Sequence, residues 1–145
     1  MSSISDFMTQ DHRACDDLLA WAEESIAKGS WDKAAEQFGK FRSETERHLA
    51  IEENSLFPAF ESKTGMTMGP TQIMRSEHQQ MRKVFDDIAQ NIAAQDKDGC
   101  LGLTETLMVL MQQHNMKEEQ VLYRMMDQSL GNEAASLLER AGAAA

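Results

Sequence analysis

Apolar residues recur three and four positions apart through most of the chain, and that spacing predicts helices and no strands. A first helix is expected to begin near Ser5 or Asp6, carry Phe7, Cys15, Leu18, Leu19, Ala22 and Ile26 on one stripe, and end at a Gly29 cap. Ser30 or Asp32 caps a second, which runs to about Ser62 with Phe38, Phe41, Leu49, Leu56 and Phe60, kinked near its end by Pro58. Lys63 to Pro70, with Gly65 and Gly69, reads as a loop. A third helix follows from Thr71 to about Gln95, with Ile73, Met74, Met81, Val84, Phe85, Ile88 and Ile92 as its apolar face. The fourth starts near Asp98 and passes Leu103, Leu107, Leu110, Met111, Val121, Leu122 and Met125 to reach about Leu130, where Gly131 stops it. A short fifth helix, Asn132 to Arg140, is capped by Asn132, and the GAAA tail is expected to fray. The pattern predicts an all-α fold, an up-down-up-down four-helix bundle about 40 Å long with a short C-terminal fifth helix.

Length and charge narrow the role. A chain of 145 residues can bury about two-thirds of its unfolded surface, so one domain over residues 1–145 is expected. Fourteen Lys and Arg against 24 Asp and Glu leave a net charge of −10, which repels phosphate backbones and anionic lipid head groups. Neither a nucleic acid nor a membrane is an expected partner. No apolar run is long enough to span a bilayer, and MSSISDFMTQDHR lacks the basic-then-apolar order of a secretory signal. Cys15 and Cys100 form no CxxC pair and read as small core residues, which suits a reducing, cytoplasmic setting. The methionine-rich stretches Met108/Met111/Met116 and Met125/Met126 read as core filler.

Laid over itself, the chain repeats. His48-x-x-x-Glu52-Glu53-x-x-Leu56-Phe57 aligns with His114-x-x-x-Glu118-Glu119-x-x-Leu122-Tyr123, 66 positions on, and the same offset carries His12 onto His78 and Asp11 onto Glu77. The two halves, about 5–62 and 71–130, thus share all four histidines of the chain between them. A His and a Glu four apart lie on one helix face, so His48/Glu52 and His114/Glu118 each aim an imidazole and a carboxylate inward. His12 and His78 add one imidazole each. Four nitrogens and two carboxylates suffice for two adjacent metals bridged by both glutamates, and such donors suit iron, with manganese or zinc as substitutes. Burying six such groups is costly unless they are paired or metal-bound. The HExxH, Glu-x-x-His, phosphate-loop and nucleophile-elbow motifs are absent, which sets hydrolase and nucleotide readings aside.

His12, His48-x-x-x-Glu52, His78 and His114-x-x-x-Glu118, with the flanking EExxLF and EExxLY, resemble the hemerythrin-like (HHE cation-binding) domains over essentially the whole chain. The resemblance implies a hemerythrin-like four-helix bundle around a non-haem di-iron centre, two iron ions with an oxo or hydroxo bridge. By similarity, His12 and His48 hold one iron, His78 and His114 the other, and Glu52 and Glu118 bridge them. Two departures separate the chain from the oxygen carriers. Arg82 occupies the place of their fifth histidine, with Asp16 as its repeat mate, and the last carboxylate is Glu at +4 where they use Asp at +5. Both features look more like the bacterial and regulatory proteins of the family.

Six protein ligands leave open positions on two irons, which favours reaction with a small oxidant: O2, H2O2 or NO. Whether the centre turns that molecule over, as a peroxide- or NO-consuming enzyme, or only binds it stays open at this stage. The alternatives are an O2- or iron-binding sensor or storage module and an iron donor in iron–sulfur cluster repair. Arg82 is expected either to meet an anion or peroxide at the centre or to pair with Asp16, Asp17 or Asp86. Tyr123 stands where the other half has Phe57, and a phenol close to iron can hydrogen-bond, ligate or be oxidised; it lies five residues after Glu118, off the ligand stripe unless the helix is distorted there. Glu53 and Glu119 are expected to face solvent or to stand behind the ligands, and the chain is expected to be a monomer or weak homo-oligomer.

Overall fold

Ser3 Oγ accepts the Asp6 backbone N–H at 3.0 Å and so caps α1, Ile4–Ala27, in the computed structural model, which describes residues 3–142. The Asp127 carboxylate, at the far end of the chain, accepts the N–H groups of Ile4 (2.9 Å) and Ser5 (3.3 Å) at the positive end of the same helix. Gly29, at φ +70°, ends it by carrying the chain into the left-handed region, as expected. α2 covers Trp31–Ile51, is interrupted by a π turn at Glu52–Leu56, and resumes as α3, Phe57–Thr64. α4, Pro70–Ala93, and α5, Lys97–Lys117, follow; a second π turn at Glu118–Leu122 leads into α6, Tyr123–Leu130. After a 3-10 turn at Gly131–Glu133, α7 spans Ala134–Arg140. Residues 143–145 of the tail expected to fray lie outside the described residues.

The sequence repeat is a repeat of structure down to its boundaries. Ile4–Ala27 recurs as Pro70–Ala93, Trp31–Ile51 as Lys97–Lys117, Phe57–Thr64 as Tyr123–Leu130, and the π turn at Glu52 as that at Glu118, each shifted by 66 positions (4 to 70). Each half is a helix hairpin. α1 packs on α2 and α5, while α4 packs on α5 and α2, closing an all-helical, antiparallel four-helix bundle with no strand among the described residues.

Two apolar clusters fill it. One gathers Ile4, Met8, Phe57, Phe60, Met74, Tyr123 and Met126, with Leu137 and Leu138 of α7 covering that end; the other gathers Cys15, Leu19, Phe38, Phe41, Met81, Phe85 and Leu107. Along every long helix the histidine falls between the two clusters: His12 lies between Met8 and Cys15, His78 between Met74 and Met81. A single polar layer therefore cuts the core in two.

Several sequence expectations need correction. The irregularity near the end of the second helix is a π turn that precedes Pro58, and its twin occurs with Arg124 in the proline's place, so the proline does not cause it. Ile73 (54% exposed), Val121 (53%) and Met116 (55%) face solvent, because the buried stripe of α4 passes through Thr71, Met74 and His78, and the π turn pushes Val121 outward. Asn132 sits inside the 3-10 turn, and Glu133 holds the position that precedes α7.

Candidate metal centre

Each of the four imidazoles donates its Nδ1–H to a carboxylate on a neighbouring element: His12 to Glu119 (2.7 Å), His48 to Asp11 (2.7 Å), His78 to Glu53 (2.7 Å) and His114 to Glu77 (2.8 Å). The pairs obey the repeat, since His12–Glu119 and His78–Glu53 exchange carboxylates between halves while His48–Asp11 and His114–Glu77 stay within one. Every Nε2 turns inward, and in the neutral ring, with the proton on Nδ1, it carries a lone pair. There His12 Nε2 lies 3.1 Å from Glu118 Oε1, His114 Nε2 3.2 Å from the same oxygen, His78 Nε2 3.1 Å from Glu52 Oε1 and His48 Nε2 3.8 Å from Glu52 Oε2. None of the six residues is more than 5% exposed.

Lone pairs facing carboxylate oxygens in a dry interior repel unless a cation stands between them. Glu52 Oε1, Glu118 Oε2, His78 Nε2 and His114 Nε2 have no hydrogen-bond partner, which is the signature of donor atoms that await an ion. Burial, followed by the Glu118 charge, drives the Glu52 carboxyl well above the usual carboxylate range, because two such groups side by side cannot both ionise without a counter-charge. Burial also lowers His78 to about 4, so its ring is neutral at pH 7. The inward atoms sort into two overlapping sets, His12, His48, Glu52 and Glu118 on one side and Glu52, His78, His114 and Glu118 on the other, each within 4.8 Å. Both sets share the two glutamates, and the arrangement fits a binuclear metal site.

The outer carboxylates are held in turn. Arg47 Nη2 donates to Asp11 (3.3 Å), Arg82 binds Glu53 through both Nη atoms (3.0 Å each), and Lys117 Nζ pairs with Glu77. Glu119 borders an open groove with Arg13 and Arg124 on its walls. Arg82 thus acts through Glu53 on His78, and its Nε donates to Glu46 (2.9 Å); its partners are neither Asp16 nor Asp17, and Asp86 pairs with Arg42 instead. Asp16 is exposed and makes no side-chain hydrogen bond among the described residues. The Asp11–His12 and Glu77–His78 dipeptides recur in the sequence, but the acids reach the other histidine of each hairpin, a partner that no local spacing reveals.

The two π turns explain Tyr123. In a regular helix a residue five positions after Glu118 lies about 140° around the axis from it. Here Tyr123 N–H bonds Glu118 O, and Phe57 N–H bonds Glu52 O, so the wider turn brings each aromatic ring beneath the glutamate. The Tyr123 hydroxyl donates to Glu52 Oε2 at 2.6 Å and lies 2.9 Å from Glu118 Oε1. Burial and the two glutamate charges keep it a phenol well above the usual tyrosine range. On the opposite side of the layer, a cavity of about 10 Å³ opens onto His12, His48, His114 and Glu118, with Cys15, Thr45, Met81 and Met111 as its far wall. It has room for one water-sized guest.

Comparison with known proteins gives a family match over residues 3–126, to the hemerythrin HHE cation binding domain. No curated protein and no solved structure matches.

Proposed function

The chain belongs to the hemerythrin HHE cation-binding family, and from that premise we propose that it is a di-iron protein that binds or turns over a small oxidant, O2, H2O2 or NO. His12, His48, Glu52 and Glu118 hold one iron, and Glu52, His78, His114 and Glu118 hold the other. The observation that carries this reading is the set of four carboxylate-backed imidazoles turned Nε2-inward on two shared, partly unpaired glutamates. When bound, two irons supply electrons to an oxidant singly or in pairs.

The protein does the rest. Asp11, Glu53, Glu77 and Glu119 fix each tautomer and ring, so that all four Nε2 atoms are presented without further rearrangement. Apolar clusters on both sides keep bulk water away, which strengthens every charge interaction inside the layer. The cavity beside His12, His48 and His114 has room for one water-sized guest, so it excludes larger substrates. Mixed nitrogen and carboxylate donors favour iron, although manganese or zinc can occupy such a set. Ligands buried this deeply favour retention of the metal over its donation to other proteins.

The test is consumption of O2, H2O2 and NO, each followed by its own electrode, with iron-loaded and metal-free protein. Loss of at least one oxidant that needs the iron supports the reading. A loaded protein inert to all three contradicts the reactive function.

A further inference from the structure

Tyr123 is surrounded by more acceptors than one hydroxyl can satisfy. Its Oη lies 2.6 Å from Glu52 Oε2, 2.9 Å from Glu118 Oε1, 3.1 Å from His12 Nε2 and 3.4 Å from His48 Nε2. Both imidazole Nδ1 protons are engaged outward, on Glu119 and Asp11, so both Nε2 atoms are acceptors. The single phenol proton serves a glutamate oxygen, and the contacts with the two Nε2 atoms set lone pair against lone pair. A cation shared by the five atoms removes that conflict. The four neighbours are the members of one of the two donor sets, and neither His78 nor His114 hydrogen-bonds to the phenol. In the other half Phe57 fills the equivalent place, its ring stacked on His78 at 5.8 Å where Tyr123 lies 5.6 Å from His12.

We propose that Tyr123 Oη is a ligand of the metal held by His12 and His48, so that the two metal positions differ by one phenolate. The proposal rests on the metal-centre reading above. On ligation the O–H bond breaks, an oxygen–metal bond forms, and the proton leaves to solvent; no electron is exchanged. The position near His12 and His48 then has five protein ligands against four at its neighbour.

The experiment compares wild type and Tyr123→Phe after iron loading and full oxidation with ferricyanide, reading iron content by elemental analysis and phenolate ring modes by resonance Raman excitation in the visible band. Phe57 shows that the fold takes a phenylalanine at this place, so the variant retains its bundle. The expected result is two irons in both proteins, with phenolate modes and their charge-transfer band in wild type alone. Two irons without phenolate modes in wild type, or modes that survive in Tyr123→Phe, overturn the proposal while leaving the metal centre standing. Absence of bound iron from wild type overturns both.

Discussion

Arg82 and Glu53 meet through two parallel hydrogen bonds of 3.0 Å, and the same Glu53 carboxylate accepts the Nδ1 proton of His78. A bidentate guanidinium fixes the plane of the carboxylate, the carboxylate fixes the imidazole, and the imidazole aims Nε2 at Glu52. The arginine thus orients the His78 imidazole from two hydrogen bonds away. Partners of ligating histidines typically contribute 10–100-fold to metal affinity. Glu53→Ala is expected to weaken binding at the His78 position by an amount in about that range, and Arg82→Ala by about tenfold, with helical circular dichroism unchanged. Competition with a chelator of known affinity measures both; affinity unchanged in Arg82→Ala contradicts the chain of contacts.

Metal-free protein carries a conflict between Glu52 and Glu118 that pH reveals. The folded-state pKa of Glu52 stands above its unfolded value of about 4.3, so this group's stabilisation is fully present below that value and is lost as pH rises through the folded pKa. Glu52→Gln removes the dependence. In urea unfolding of the apo forms, the variant is expected to gain on wild type as pH rises above about 4.3, the unfolded-state pKa. Metal addition should raise the Tm of wild type by several degrees and of the variant by much less. A stability difference that stays flat as pH rises contradicts the buried carboxylate pair.

Gln95 sits at φ +55°, the repeat mate of Gly29 at +70°, in a turn that both halves close in the same way, with Ser30 N–H on Ser25 O and Asp96 N–H on Asn91 O at 2.9 Å each. A side chain in the left-handed region costs roughly 1–2 kcal/mol, and glycine escapes that cost while adding freedom to the unfolded chain. Gln95→Gly is therefore expected to stabilise the protein by about 0.5–1 kcal/mol in urea unfolding. Gly29→Gln is expected to destabilise it by about 1 kcal/mol or more. The opposite signs in two equivalent turns isolate backbone conformation from local contacts. Destabilisation by Gln95→Gly contradicts the argument.

The repeat makes much of this architecture legible in the sequence. The histidines recur at one offset, and helical periodicity turns such a recurrence into two hairpins with a shared polar layer, which is how the bundle is built. Periodicity failed where it was carried through the π turns. Nothing in Glu118-Glu119-Gln120-Val121-Leu122 marks an extra residue in the turn, since the wider turn is selected by what Tyr123 and Phe57 pack against. Regular helical spacing puts Val121 in the core and Tyr123 off the ligand stripe; in the structure Val121 faces solvent and Tyr123 is buried beneath the glutamates. Arg82 was invisible for a different reason: its partners, Glu46 and Glu53, lie on other elements, at separations of 36 and 29 residues. Helical spacing locates a side chain on a face but not the carboxylate across the gap.

The most direct test of the account is metal stoichiometry. Protein loaded anaerobically with ferrous iron, freed of excess by gel filtration and analysed for iron and protein, should carry two irons per chain. His114→Ala and His48→Ala should each lower that number, and the folded bundle should persist in both. One iron or none in wild type, or two that survive the loss of either histidine, would mean that the layer between the two apolar clusters is not the centre described.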